Sequence, residues 1–125
     1  MAATVEGVVR LELVDLDKGD NFTDLGIDGT TPTASAGKQI RTLATANTAE
    51  ALGVGDLAVV TAIAIKAIDF DLDVDLDFSS SFDTDFTVKA GELPALIPNP
   101  AGTVYVNGSE SDETPQYVYL AVGTT

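Results

Sequence analysis

Apolar residues and Asp alternate without interruption over the eleven positions from Ile68 to Phe78. Side chains on a β-strand point alternately to opposite faces, so a period of two is typical of a strand. We therefore predict a strand over residues 68–78 with one apolar face and one acidic face.

After the serines at 79–81 the alternation resumes over residues 82–89, with the apolar residues still on even numbers. This phase predicts a β-hairpin closed by a three-residue loop. One face would carry apolar cross-strand pairs, and the other would bring Asp71 opposite Lys89. The expected apolar pairs are Phe78 with Phe82, Val74 with Phe86, and Leu72 with Val88.

Other segments also have the composition of strands, bounded by turn residues. They are residues 4–16, 38–46, 57–67, 103–108 and 116–122. Residues 18–37 are rich in Gly, Asp, Thr and Ser, which predicts a long irregular connection with a short strand near residues 22–27. The prolines within residues 93–100 predict a loop or an edge strand, because Pro cannot donate to a central ladder.

Residues 47–53 carry the strongest helix signal in the chain. Asn47 or Thr48 would be the N-cap and Gly53 the C-terminal glycine of one or two helical turns.

Residues 57–67 are apolar on both faces. This composition fits a strand buried on both sides or covered by a neighbouring subunit, and a buried helix is the alternative. The larger apolar residues have odd numbers up to Ile65 and even numbers from Ile68 onward. This change of phase predicts a β-bulge or a turn at Lys66 and Ala67.

Short strands separated by Gly, Pro and Asp predict one all-β domain over residues 1–125, an antiparallel β-sandwich or jelly-roll-like fold with at most one short helix. A chain of 125 residues is long enough to bury its own core. Tyr117 and Tyr119 share one face of the last strand. They would pack in the core or at its rim, or form an exposed aromatic patch for a partner.

The chain has 20 acidic and 6 basic residues, and its formal net charge is −14. Nucleic acids and anionic membranes are bound through Lys and Arg, so the charge argues against both as partners. No segment approaches the roughly 20 apolar residues of a membrane-spanning helix, and the first residues carry no secretory signal. We therefore expect a protein made in a cytoplasm, with basic surfaces or divalent cations as attractive partners.

The chain contains neither Cys nor His. This composition excludes Ser-His-Asp and Cys-His catalysis, disulfides and thiolate metal sites. Its glycines lack the Lys-Ser/Thr of a phosphate-binding loop, which leaves no cofactor motif. The sequence therefore predicts a protein that is not an enzyme.

The acidic face of the predicted hairpin has three interpretations. It is a solvated surface that keeps the protein soluble, a face for a basic partner, or a Ca²⁺ site. For the Ca²⁺ site, cross-strand neighbours would bring four carboxylates together, those of Asp75, Asp77, Asp83 and Asp85. The partner-facing stripe would consist of Asp69, Asp71 and Asp73.

The order of four segments in the C-terminal half resembles that of small β-sandwich virion proteins of tailed phages. The segments are Ile63-Ala-Ile-Lys-Ala-Ile-Asp-Phe70, Phe86-Thr-Val-Lys-Ala-Gly-Glu92, Thr103-Val-Tyr-Val-Asn-Gly108 and Gln116-Tyr-Val-Tyr-Leu-Ala-Val-Gly123. The uninterrupted Asp stripe and the glycine-rich first third depart from that pattern. The resemblance implies a virion structural protein such as a capsid decoration (cement) protein, located in the virion after synthesis in the host cytoplasm.

Such a protein would act by burying surface against other virion proteins, the major capsid protein above all, and would form a homo-oligomer. Two other classes stay open at this point. One is a Ca²⁺-dependent module that binds a carbohydrate or protein ligand. The other is a protein whose acidity is an adaptation to high salt.

Overall fold

The computed structural model describes the backbone of residues 8–11, 22–26 and 34–125 and the side chains of residues 38–125. All regular structure in these residues is β-strand, which confirms the predicted all-β class. The strands are β1 (Val8–Leu11), β2 (Phe22–Gly26), β3 (Ala34–Thr42), β4 (Glu50–Ala51), β5 (Val59–Ala67), β6 (Leu72–Asp75), β7 (Phe86–Val88), β8 (Ala95–Pro98), β9 (Tyr105–Gly108) and β10 (Gln116–Thr124).

The strands form two four-stranded sheets and one separate pair, and every pairing is antiparallel. Sheet I has the order β3-β10-β5-β8, and sheet II has the order β4-β9-β6-β7. Strands β1 and β2 pair with each other. The arrangement is that of an antiparallel sandwich, as the sequence predicts.

One apolar core combines side chains from both sheets. Sheet I contributes Ile63 and Ile65 from β5 and the two tyrosines of β10, and sheet II contributes apolar residues of β6, β7 and β9. Tyr117 and Tyr119 are 0% and 2% exposed, so both belong to the core and the alternative of an exposed tyrosine patch is wrong.

The change of phase at Lys66 and Ala67 marks the point where the chain leaves sheet I for sheet II. Strand β5 ends at Ala67, residues 68–70 form a bend, and β6 begins at Leu72. The N–H of Ile68 donates to the carbonyl of Gln116 at 2.9 Å, which fastens the corner to β10. The predicted turn is present, but it lies at residues 68–70, directly after the predicted position, because Lys66 and Ala67 still belong to β5.

Strand β5 is buried on only one face along its second half. Ile63, Ile65 and Ala67 are buried, whereas Ala64 and Lys66 are exposed. The strand is confirmed over the helix. Burial on both sides is found at residues 61–63 but not beyond them, because the described elements leave the outer face of the second half of β5 uncovered.

The predicted hairpin has the correct register but a longer loop. Leu72 pairs with Val88 and Val74 with Phe86, as expected, yet the strand over residues 68–78 is reduced to Leu72–Asp75. Residues 76–85 form the loop between β6 and β7. The expected pair of Phe78 with Phe82 is wrong, because Phe78 stacks on Tyr105 with the ring centroids 4.2 Å apart.

The helix expected over residues 47–53 is wrong. Asn47 has a φ of 62°, in the left-handed region, and residues Glu50–Ala51 form the short strand β4 against β9. The N–H of Leu52 also donates to the carbonyl of Val104 at 2.8 Å. These long-range bonds replace the local bonds of a helical turn, because they allow Leu52 to enter the core.

Most of the remaining strand predictions are confirmed. Strand β2 lies where a short strand was expected, β8 is an edge strand, and β9 and β10 fall within one or two residues of their predicted positions. The irregular connection ends earlier than predicted, because β3 begins at Ala34. The expected first strand is confirmed over Val8–Leu11, and the other residues of 4–16, like residues 18–21 and 27–33, lie outside the described part of the chain.

Candidate functional site

The four strands of sheet I contain no acidic residue, although the chain has 20. They do contain three of the six basic residues, at positions 38, 41 and 66. Sheet II and its loops carry the Asp residues of segment 69–85. The two sheets therefore present surfaces of very different charge.

The outer surface of sheet I is mainly apolar. The cross-strand register places Ile40 and Lys66 beside Val118, and Lys38 and Ala64 beside Leu120. We call this surface the apolar face; it consists of Lys38, Ile40, Ala64, Lys66, Leu96, Val118 and Leu120. Ile40 is 62% exposed and Leu120 is 37% exposed, so large aliphatic side chains reach solvent here.

A shallow depression of about 180 Å³ lies on the apolar face. It is lined by Lys38, Ala64, Lys66, Pro94, Val118 and Leu120, among others. Ala64 forms part of the floor because its side chain is smaller than those of its neighbours. Two lysines also line the depression. The depression therefore suits an apolar group that carries negative charge beside it.

The carboxylates of the predicted partner-facing stripe are anchored within the protein. Asp69 Oδ1 accepts from the N–H groups of Phe70 and Gln116, at 2.9 and 2.7 Å. Asp73 accepts from the hydroxyls of Thr84 and Thr87, at 3.0 and 2.6 Å. These bonds hold the turns around β6 in place.

Asp71 forms the expected pair with Lys89, at 3.0 Å, and also accepts from the N–H of Ala90 at 2.8 Å. The N–H of Ala90, followed by the Lys89 ammonium group, lowers the pKa of Asp71 below its ordinary value. Each carboxylate of the stripe still has free lone pairs for a basic partner.

Asp75 is fully buried, which the alternating pattern did not predict. Its Oδ2 accepts from the N–H of Asp83 at 2.9 Å, and its Oδ1 accepts from the N–H of Asp77 at 3.0 Å. The Asp83 bond is the main reason why the pKa of Asp75 is lowered, against the effect of desolvation. The side chain thus accepts hydrogen bonds from two backbone N–H groups near the two ends of the loop of residues 76–85.

Three of the four carboxylates proposed for Ca²⁺ come together. Oxygen atoms of Asp75, Asp77 and Asp85 lie within 4.8 Å of one another, whereas Asp83 contributes its backbone N–H to Asp75. Asp85 Oδ2 also accepts from the N–H of Leu76 at 2.7 Å. The hydrogen bond with Asp75, and then the charges of Asp85 and Asp75, raise the pKa of Asp77.

Such an arrangement offers hard oxygen ligands for a divalent cation. The hydrogen bonds of Asp75 and Asp85 also give both carboxylates a structural role that needs no ion. A groove of about 580 Å³ adjoins the cluster and is lined by Asp77, Asp85, Phe86 and residues of segment 96–101.

Sequence reasoning missed the network around Glu50. Its carboxylate accepts from the Tyr117 hydroxyl at 2.7 Å, from Arg41 Nε at 2.8 Å and from the N–H of Ala44 at 3.2 Å. Burial favours the neutral acid, but these three bonds outweigh it and lower the pKa of Glu50. No local pattern connects residues 50 and 117, so the sequence held no signal for this contact.

Among the described residues, the structure has no helix that is long and apolar enough to cross a membrane. Comparisons of the chain with protein-family models, with curated proteins and with solved structures gave no match.

Proposed function

We propose that this chain is a non-enzymatic structural protein of a virus particle, of the kind that decorates and stabilises a phage head. One observation supports this proposal above the others: sheet I is free of acidic residues and presents an apolar outer face, on a chain of net charge −14. Such a face is the part of the molecule that gains most from contact with other proteins.

Burial of apolar surface is the main favourable term in protein association. Ile40, Val118 and Leu120 form a continuous row with Ala64 across three strands, which is the form of an interaction surface rather than of scattered exposed residues. This row contains no acidic residue. Its burial would therefore not carry the energetic cost of removing a carboxylate from water.

The acidic side of the molecule would have a different role from the apolar face. Asp73, Asp77, Asp83 and Asp85 lie on and around the loop between β6 and β7. Charges of one sign on one side orient a protein as it approaches a basic surface and raise the association rate. A basic patch of the major capsid protein is the partner that fits this side.

The test is whether the chain is part of assembled particles. Virions from the source of the sequence would be purified on a gradient, and their proteins identified and counted by mass spectrometry. We expect the chain in many copies per particle. Its absence from intact particles would contradict the proposal.

A second experiment links the particle to the apolar face. Particles that lack the chain would be mixed with the wild-type protein, Leu120→Glu or the control Val59→Glu, and bound protein measured after sedimentation. Val59 is 60% exposed and lies at the start of β5, outside the apolar face. We expect Leu120→Glu alone to lose binding.

The carboxylate cluster favours a second candidate, a Ca²⁺-dependent binding module. Its support is the approach of Asp75, Asp77 and Asp85 beside a groove large enough for a ligand. This candidate requires that Ca²⁺ stabilise the fold and that ligand binding disappear with a chelator. The structural proposal requires neither.

A further inference from the structure

We propose that the depression on the apolar face binds the corner residues Asp69, Phe70 and Asp71 of a second copy of this chain, so that copies associate head to tail. We call these three residues the Phe70 corner. The inference rests on the proposed function in one respect, that the apolar face is buried in an assembly, and it names the occupant of that face.

The depression has the size and chemistry for one aromatic ring. Its volume is about 180 Å³, and a cavity of about 150 Å³ is enough to hold benzene. Ala64, Val118 and Leu120 provide apolar walls, while Lys38 and Lys66 provide positive charge. An acidic segment with a central aromatic residue is the complementary shape and charge.

The Phe70 corner has this composition. Phe70 is 44% exposed at the bend between the two sheets, and an Asp stands on either side of it. In its own molecule Phe70 does not line the depression. The chain therefore carries an exposed aromatic residue and a depression for an aromatic residue at two different places.

The corner is also fixed in position before any contact is made. Asp69 is held by the N–H groups of Phe70 and Gln116, and Asp71 by Lys89 and the N–H of Ala90. A preorganised segment loses less conformational entropy on binding. Each carboxylate keeps lone pairs that a lysine of the neighbouring copy can share.

A head-to-tail contact also suits the charges better than a symmetric one. If two apolar faces met each other, Lys38 and Lys66 of both copies would share one interface without a carboxylate from these strands. Contact with the Phe70 corner instead pairs each positive group with a carboxylate. Because the two surfaces differ, the assembly closes into a ring or grows as an open chain.

Light scattering at increasing protein concentration and low salt is the first measurement. We expect the wild-type mass to rise with concentration, and Phe70→Ser to weaken the association roughly thirtyfold, the loss typical of a buried interface anchor. Ala64→Trp fills the depression from an exposed position and should weaken it similarly. Val59→Ser, which removes a more exposed apolar side chain elsewhere, should behave like wild type.

Mixing the two variants gives a sharper test. Phe70→Ser retains an intact depression, and Ala64→Trp retains an intact corner, so the mixture can form one contact per pair although neither variant associates alone. We expect a heterodimer of defined mass. The melting temperature of each variant would show whether it is folded. Lys38→Glu is a further variant at an exposed position of the depression.

A wild-type protein that stays monomeric at all concentrations would overturn this inference, and so would association that Phe70→Ser leaves unchanged or a mixture that stays monomeric. These measurements need no virus particle. A chain that is found in particles yet is monomeric in solution would leave the proposed function intact and refute the head-to-tail contact. Association in solution without incorporation into particles would refute the proposed function and leave the head-to-tail contact intact.

Discussion

The hydroxyl of Tyr117, on β10 of sheet I, donates a 2.7 Å hydrogen bond to Oε1 of Glu50, on β4 of sheet II. The same carboxylate accepts from Arg41 on β3. A single side chain of sheet II thus holds two neighbouring strands of sheet I. Burial and the negative charge of Glu50 raise the pKa of Tyr117, so the hydroxyl stays protonated and keeps its role as donor.

Replacement of Tyr117 by Phe should lower the free energy of unfolding by about 1–2 kcal/mol, because a partly buried hydrogen bond to a charged acceptor is lost while the ring remains in place. Urea unfolding followed by circular dichroism measures the change. Tyr105→Phe is the control, since no hydrogen bond of the Tyr105 hydroxyl occurs among the described residues. Equal stability of Tyr117→Phe and wild type would contradict the role given to this bond.

Replacement of Glu50 by Gln should destabilise the protein most at neutral pH. The pKa of Glu50 is lower in the folded protein than in the unfolded chain, so its contribution is fully present above the unfolded value and is lost as the pH falls through the folded value. The difference in melting temperature between Glu50→Gln and wild type should therefore shrink in acid. A difference that grows below pH 5 would show that another contact dominates.

Replacement of Asp75 by Ala should loosen the loop of residues 76–85. The substitution removes the acceptors of the N–H groups of Asp77 and Asp83, which form partly buried hydrogen bonds, and a donor that loses its partner away from solvent is costly. Hydrogen exchange of these two amides should accelerate strongly, and the melting temperature should fall by several degrees. Asp83→Ala is the matched control, because it removes an exposed carboxylate from the same loop and leaves its N–H bond to Asp75.

Replacement of Asp77 by Asn should have the opposite effect on the melting temperature and stabilise the protein at neutral pH. The pKa of Asp77 is raised in the folded protein, so its ionised form is disfavoured there, and this cost disappears as the pH falls through the raised value. The gain in melting temperature over wild type should therefore vanish in acid.

Millimolar Ca²⁺ distinguishes the two candidate functions at the same residues. If Asp75, Asp77 and Asp85 bind the ion, Ca²⁺ raises the melting temperature of wild type by several degrees, Mg²⁺ does so less, and Asp77→Asn loses the response. If the cluster is structural only, wild type and variant respond alike. Stability that rises steadily with KCl instead would support adaptation to salt.

Replacement of Gly123 by Ala should weaken the end of the pairing between β10 and β5. A Cβ at this position would meet the backbone of Val59 and Val60, at the point where the register of the two strands shifts. We expect a loss of about 1–3 kcal/mol in the free energy of unfolding, typical of overpacking. Gly102→Ala should have little effect, because a Cβ there would have open space around it.

The alternation of apolar and polar residues determined much of this fold. It predicted the register that pairs Leu72 with Val88, because side-chain burial on one face permits only one phase. Strand composition between turn residues predicted β5, β9 and β10. The change of phase after Ile65 predicted the turn at which the chain passes from one sheet to the other. Composition likewise excluded catalysis that depends on His or Cys.

The tertiary structure alone decided which Asp residues are exposed. The pattern made all of them equivalent, but Asp75 is buried because two backbone N–H groups of a ten-residue loop point to it, and loop length is not encoded in a period of two. Glu50 lies in a strand for the same kind of reason: bonds to Arg41 and Tyr117 outweigh the local helix signal. The sequence shows that the segments of β3, β5, β8 and β10 contain no acidic residue. Only the pairing of these strands in sheet I places them on one surface, because long-range packing determines which strands are neighbours in a sheet.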